Sequence, residues 1–198
     1  MFCEKVKEAK TRPGMQQQVK TEATLEDLYR VPEHGKAELV RGELILMPPT
    51  EGSPGYAAGE IFASLREYAR HTQRGHAFPD NVGFVVNLLH RKSFSPDAAF
   101  YLGDLTMRFL EGAPVFAVEV RSEADYGPKA EQGLTQKRAD YFATGTLVVW
   151  DVDLLSQDSV RVYRADNPDH PTIYRRGQVA EAETAVPGWR MPVDQIFP

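Results

Sequence analysis

Two acidic residues lie where a buried strand should be apolar. Glu119 lies within Val115–Val120, a segment that is apolar on both faces and therefore predicts a central strand. Asp97 opens a second apolar segment that runs to Leu102. If both acids share one face of neighbouring strands, their oxygens could converge on Mg²⁺, which needs only one or two carboxylates. Such an ion would polarise a phosphate and lower the pKa of an attacking water, so the pair predicts a site for phosphodiester hydrolysis.

Each acid also has a purely structural interpretation. Asp97 could cap a turn after Pro96, and Glu119 could form an internal salt bridge with Arg121, two residues further on. A buried carboxylate is costly without a cationic partner, so either a metal or a basic side chain is expected beside Glu119. The residues alone leave both interpretations open.

A lysine on the next predicted helix accompanies the acids. Leu134, Lys137 and Tyr141 are spaced i, i+3 and i+7, which places them on one stripe of the helix. An inward Lys137 could hold the nucleophile or stabilise the charge that develops on the phosphate. Alternatively, its stem extends past Tyr141 to solvent.

The N-terminal half predicts elements that cover a sheet. Thr24 is a helix cap with Asp27 at the acidic position of a capping box, and this helix should end by Pro32. Residues 37–47 predict a hairpin that turns at Arg41-Gly42, and helical spacing predicts an amphipathic helix over Tyr56–His71.

The remaining elements predict an α/β (α+β) domain with a mixed sheet flanked by helices and an antiparallel C-terminal β meander. Residues 21–198 are expected to form this single domain, after a flexible arm over 1–20 in which Met15 could be the true start. The predicted strands are 84–89, 97–102, 115–120, 147–150, 160–163 and 172–174, with a helix over 129–143 and a closing tail over 189–197.

Composition narrows the class of protein. The 42% hydrophobic and 26% charged residues are ordinary for a soluble globular chain, and Cys3 is the only cysteine, so we expect a cytoplasmic protein without disulfides. No apolar segment is long enough to span a membrane. The net charge of -5 argues against non-specific nucleic-acid binding by overall charge. Such binding would need a local patch, for which the candidates are Arg66, Arg70, Arg74, Arg91 and Lys92.

The order of these residues resembles a known family. Pro96-Asp97, then Glu119 within Val-Glu-Val, then Lys137 within Lys-Arg-Ala-Asp-Tyr resemble the Uma family of restriction-endonuclease-like proteins, part of the PD-(D/E)xK nuclease superfamily. The resemblance extends from Thr24 to Pro198 and includes the segments 38–44 and 143–153 and the closing Pro187-Gly188-Trp189. It implies a restriction-endonuclease-like core, Mg²⁺ or Mn²⁺ on Asp97 and Glu119, and a lysine that completes the site.

The chain departs from the superfamily pattern at one position. Arg121 stands two residues after Glu119, where a lysine would be expected, and an arginine cannot act as a base near neutral pH. Lys137 resembles the helix-borne lysine that the family uses instead. Glu38 resembles an acid that some members bring to the metal from an N-terminal element, although a solvated hairpin residue is an equal alternative.

Two functions follow. The first is a metal-dependent endonuclease that hydrolyses phosphodiester bonds of DNA with Asp97, Glu119, Lys137 and Glu38; by analogy, cutting two strands suits a homodimer. The second is a non-catalytic, nuclease-like module for binding or assembly, which the acidic net charge and the missing Glu-x-Lys triplet favour. Nucleotide-cofactor and zinc chemistry are not expected, because glycine-rich phosphate loops, cysteine pairs and His-x-x-x-His spacing are absent from the sequence.

Overall fold

The computed structural model describes residues 22–31, 35–156 and 159–198, so the predicted arm and Met15 lie outside the described residues. The first half of the chain contains α1 (Leu25–Tyr29), β1 (Lys36–Val40), β2 (Glu43–Met47), α2 (Gly52–Thr72), β3 (His76–Phe78), β4 (Phe84–Val85), β5 (Ser93–Phe94) and β6 (Ala98–Tyr101). The second half contains β7 (Leu110–Glu111), β8 (Phe116–Val120), α3 (Pro128–Ala143), β9 (Val148–Asp153), β10 (Ser159–Arg164), β11 (Asn167–Arg175), β12 (Val179–Glu181) and β13 (Arg190–Pro192). Short 3₁₀ turns lie at Glu123–Asp125 and Val193–Gln195.

A six-stranded sheet forms the centre of the fold. Its strand order is β11-β10-β9-β8-β6-β3. Strands β8 and β9 are parallel and are connected through α3, whereas the other neighbours are antiparallel. The predicted mixed sheet with antiparallel C-terminal strands is therefore confirmed.

The two faces of this sheet are buried by different elements. Side chains that alternate along the strands separate into two apolar clusters, as the two-residue period of a strand requires. Helix α2 and the C-terminal segment cover the first face, where Ile61, Phe116, Trp150 and Trp189 pack together. Helix α3 and the small sheet of β4, β5 and β7 cover the second face, which includes Phe84, Phe94, Ala117, Tyr141 and Val149.

The predicted strand over residues 84–89 is wrong in extent and in position. Only Phe84–Val85 is extended, and it pairs with β5 and β7 outside the central sheet. The chain then folds back, because the amide of Val86 donates to Lys92 and that of Leu88 donates to Arg91, which leaves Leu89 98% exposed. The outer strand of the central sheet is instead β3, to which no strand had been assigned.

Local signals explain the ends of the helices. Thr24 and Asp27 form the predicted capping box of α1. Helix α2 begins four residues before the predicted Tyr56 and ends at a left-handed Gln73. Gly75 follows at φ +63°, where a Cβ atom would lie 2.6 Å from the ring of Phe100, so the chain requires glycine there to begin β3. Within the described ranges, no helix combines the length and apolar character needed to cross a bilayer.

Candidate active site

Asp97 and Glu119 lie close together beside the antiparallel strands β6 and β8. The pairs Ala98–Val118 and Ala99–Ala117 set the register of these strands, and Asp97 immediately precedes β6. Glu119 projects to the same face as Ala117, two residues earlier on β8, and Asp97 is close enough to raise its pKa. That face is the one covered by α3, so the two predicted acids converge instead of lying on opposite sides.

Asp97 is held by the neighbouring strand and by a lysine. Its Oδ2 accepts a hydrogen bond from the amide of Val120 at 2.7 Å, and its own amide donates to Val118. Its Oδ1 lies 2.6 Å from Nζ of Lys36, which also lies 2.7 Å from Oδ1 of Asp80. Asp97 therefore does not simply cap a turn after Pro96; it bridges β6, β8 and the hairpin.

Glu119 is bound by two side chains that lie one turn apart on α3. Nζ of Lys137 lies 2.8 Å from Oε2 of Glu119, and the hydroxyl of Tyr141 donates to Oε1 at 2.7 Å. The side chain of Lys137 is 16% exposed and also lies 2.9 Å from Glu38, so the alternative in which it extends to solvent is wrong. Tyr141 was predicted to share the stripe but not to bind the acid.

Glu38 is buried, which excludes the solvated hairpin alternative. It is 5% exposed, and its oxygens are 2.5 Å from Nη1 of Arg91, 3.0 Å from the amide of Ser95 and 2.9 Å from Nζ of Lys137. The position follows from the sequence, because Lys36 and Glu38 are two residues apart on β1 and so project to the same face. The same spacing indicates Lys36 as a site residue in addition to those predicted from the sequence.

The pKa values of Glu119, Lys137 and Lys36 reflect a balance between burial and the charges of neighbouring side chains. Burial raises the pKa of Glu119 to about 7, with Lys137 acting in the opposite direction and Asp97 and Glu38 adding to the rise. For Lys137, burial alone would lower the pKa, but Glu119 and Glu38 outweigh it and raise the pKa. The pKa of Lys36 is raised in the same way, because Asp97 and Glu119 outweigh its burial. Both amines are therefore cations at neutral pH.

Arg121 does not contact Glu119. Its Nε donates to Oδ1 of Asp151 at 2.6 Å and its Nη2 to Oδ2 at 2.8 Å, while Nη1 pairs with Glu131 on α3. The alternative interpretation, a salt bridge between Glu119 and Arg121, is therefore wrong. The guanidinium instead joins the first turn of α3 to β9, and the cations beside the two acids are Lys36 and Lys137.

The predicted basic patch does not surround these acids. Arg91 is 6% exposed and is enclosed by Glu38 and Asp140, so it is not a surface residue. Arg66 and Arg70 are exposed on α2, which covers the opposite face of the sheet. These three arginines therefore do not form one surface with the acids.

A cleft of about 490 Å³ opens onto Lys36, Asp97, Glu119 and Lys137. Its other walls are mostly small and apolar, and they come from the end of the hairpin, from the loop after β8 and from α3. The residues of these walls include Met47, Pro48, Pro49, Val120, Ala124, Ala130, Gly133 and Leu134. Glu51, Arg121 and Asp125 also line the cleft, so charged side chains alternate with apolar ones around its wall.

The oxygens of Asp97 and Glu119 fit a hard cation such as Mg²⁺ or Mn²⁺. Within the ranges that the structure describes, no group of three or more histidine, cysteine or acidic side chains is arranged to hold a metal. Mg²⁺ does not need such a group, because it binds through one or two carboxylates and keeps several waters. Each of the four carboxylate oxygens accepts one hydrogen bond, from Lys36, Val120, Lys137 or Tyr141, and retains a further lone pair.

Comparisons with known proteins agree with this architecture. The Uma2 family, described as "Putative restriction endonuclease", matches residues 23–194. A solved structure described as "a putative nuclease belonging to DUF820" from Anabaena variabilis ATCC 29413 is similar, with a TM-score of 0.69 and 18% sequence identity over 88% of this chain and 97% of that chain. No curated protein matches the chain. The family match covers nearly all of the described residues, and the chain therefore belongs to the Uma2 family.

Proposed function

We propose that this protein is a metal-dependent endonuclease that hydrolyses phosphodiester bonds of DNA. The observation that carries the proposal is the convergence of Asp97 and Glu119 in one cleft, with Nζ of Lys137 2.8 Å from Glu119. The descriptions of the family and of the similar structure, which both name a nuclease, support the same activity.

Asp97 and Glu119 would hold Mg²⁺ or Mn²⁺. When bound, the ion would polarise the phosphate and lower the pKa of the attacking water. The chain keeps its two ligands in place without it, because the amide of Val120 fixes Asp97 and the hydroxyl of Tyr141 fixes Glu119. Such preorganised oxygens need no rearrangement at the moment of reaction.

Lys137 would stabilise the negative charge that develops on the phosphate. Its amine is a cation beside Glu119 in the cleft, where low exposure strengthens electrostatic interactions. Glu38 would act as a positioning residue, because it accepts from Lys137 while Arg91 and Ser95 fix it from behind. Arg121 would have no catalytic role, since Asp151 and Glu131 occupy its guanidinium.

The test uses the purified full chain, titrated with Mg²⁺ and Mn²⁺ against supercoiled, linear duplex and single-stranded DNA. Asp97→Asn should abolish cleavage and weaken Mn²⁺ binding measured by calorimetry. The matched control is Asp166→Asn, which makes the same change at an exposed position outside the cleft. An absence of both cleavage and Mn²⁺ binding in the unmodified protein would refute the proposal.

One observation favours a second function, a non-catalytic module for binding or assembly. Both acids already have lysine partners, Asp97 with Lys36 and Glu119 with Lys137, so the arrangement is neutralised without a cation. If the acids serve architecture, Asp97→Asn should lower the melting temperature and leave DNA or partner binding intact. A stable variant that loses only cleavage would exclude this function.

A further inference from the structure

Lys36 is a second buried amine in the cleft, and the proposed reaction does not use it. Its side chain is 12% exposed, and its Nζ lies between two carboxylates, 2.6 Å from Asp97 and 2.7 Å from Asp80. It lines the cleft together with Asp97, Glu119 and Lys137. A buried lysine with two acidic partners can lose one of them and remain neutralised.

Asp80 is fixed independently of Lys36. Its Oδ2 accepts from the hydroxyl of Thr50 at 2.5 Å, and its Oδ1 accepts from the amide of Asn81 at 2.7 Å. The Asp80 carboxylate therefore stays in place if the amine of Lys36 leaves Asp97. Asp97 likewise keeps its hydrogen bond from the amide of Val120.

A cation on Asp97 and the amine of Lys36 compete for the same oxygen. Like charges within a few ångströms repel strongly where exposure to solvent is low. A divalent ion at Asp97 and Glu119 would therefore drive the Lys36 amine away from Oδ1 of Asp97. The nearest alternative acceptor is Asp80, whose oxygen the amine already contacts.

We propose that Lys36 occupies the cation's place at Asp97 until a divalent ion displaces it onto Asp80, where its amine binds a phosphate of the substrate. This inference rests on the proposed function and deepens it, because it assigns a phosphate contact to the hairpin strand β1. Lys36 from the hairpin and Lys137 from α3 then both contact the substrate. In the absence of substrate, Lys36 lowers the affinity of the two acids for the ion. Once the ion is bound, Lys36 raises the affinity of the cleft for the phosphate.

The first experiment measures Mn²⁺ binding without DNA, by electron paramagnetic resonance of free Mn²⁺. Lys36→Met should tighten binding about tenfold, the order expected when one like charge is removed from beside a bound cation near a protein surface. Lys36→Arg keeps the charge and should remain close to the unmodified protein. Lys92→Met is the matched control, because Lys92 contacts Asn87 and does not line the cleft.

A double-mutant cycle separates the displacement from a general effect of charge. Asp80→Asn removes the second acceptor, so it should weaken Mn²⁺ binding while Lys36 is present. In the Lys36→Met background the same substitution should have a much smaller effect, because no amine then needs to move. An equal effect of Asp80→Asn in both backgrounds would overturn the displacement.

Cleavage kinetics test the phosphate contact. At saturating Mg²⁺, Lys36→Met should raise KM for DNA about tenfold and change kcat less, since a phosphate contact made in the ground state is lost. If the unmodified protein binds Mn²⁺ and cuts DNA but Lys36→Met matches it in both measurements with a folded circular dichroism spectrum, only this inference fails. If the unmodified protein neither binds Mn²⁺ nor cuts DNA, the proposed function fails as well.

Discussion

Arg91 and Asp140 form a buried ion pair behind the candidate active site, with Nε of Arg91 donating to Oδ2 of Asp140 at 2.7 Å. The same guanidinium donates to Glu38, which in turn accepts from Lys137. A chain of alternating charges thus connects the far end of α3 to Glu119.

Asp140→Asn should lower the free energy of unfolding by about 3 kcal/mol, because breaking one side of a buried ion pair leaves a charge without its partner. The side chain of Asp140 is 3% exposed and also contacts His90 and Gln136. Urea unfolding followed by circular dichroism measures the loss. Asp166→Asn, at an exposed position, should change it by less than about 0.5 kcal/mol.

Acid sensitivity should depend on Asp153. Burial would raise the pKa of this carboxyl, but hydrogen bonds from Ser156 and Tyr126 hold it well below its ordinary value of 3.8. A carboxylate with a lowered pKa in the folded state stabilises the protein above the unfolded value, and that contribution is lost as the pH falls below it. The free energy of unfolding should therefore fall less steeply with decreasing pH below about 4 in Asp153→Asn than in the unmodified protein. Equal slopes would show that another group controls acid unfolding.

Glu119→Gln should separate stability from activity. The substitution removes a buried carboxylate but keeps the shape of the side chain, and Lys137 retains Glu38 as a partner. Cleavage should fall by a factor of about 100 or more, while the melting temperature stays the same or rises, as is common for a costly functional charge. Glu67→Gln, on the exposed side of α2, is the control for the same change in chemistry. A melting temperature that drops with the activity would favour an architectural role.

Substitutions of Lys137 and Arg121 should have opposite effects, the first on kcat and the second on stability. Lys137→Gln should reduce kcat by about 100-fold, because the cation beside Glu119 is lost. Arg121→Lys cannot reproduce the bidentate pair with Asp151 and should cost about 2 kcal/mol of stability. Its kcat, measured well below its melting temperature, should stay near that of the unmodified protein. The reverse result would assign to Arg121 the catalytic role that is proposed for Lys137.

Tyr141→Phe should test whether the hydroxyl orients Glu119. The ring stacks on Phe94 with centroids 4.0 Å apart, and this packing survives the substitution. Only the hydrogen bond to Oε1 of Glu119 is lost, so kcat should fall about tenfold with little change in the melting temperature. An unchanged kcat would show that Lys137 alone positions the carboxylate.

Periodic patterns explain why much of the fold and site could be predicted from the sequence. Helical spacing placed Lys137 on the inward face of α3, and an acid inside an apolar strand identified Glu119. The apolar segment 84–89 was misread because such a segment does not distinguish a strand in the central sheet from a short strand followed by a reversal. The periodicity of the sequence was therefore not sufficient to predict the path of this segment.

Contacts between distant parts of the chain could not be predicted in the same way. Lys36 and Asp97 are 61 positions apart, and the packing of the hairpin against β5 brings them together. Asp80 lies outside any strand, so no alternation indicated its direction. The partners of Arg121 likewise depend on how α3 crosses β9.

The hairpin β1–β2 forms its own two-stranded sheet, yet it supplies both Lys36 and Glu38. If the hairpin detached, Lys36 would leave Asp97 and Asp80, and Glu38 would leave Lys137 and Arg91, so detachment would break four ion pairs at once. These ion pairs therefore hold the hairpin against the rest of the domain. Detachment of the hairpin should be coupled to opening of the cleft. A ligand that contacts both the hairpin and α3 should therefore slow amide hydrogen exchange throughout the hairpin.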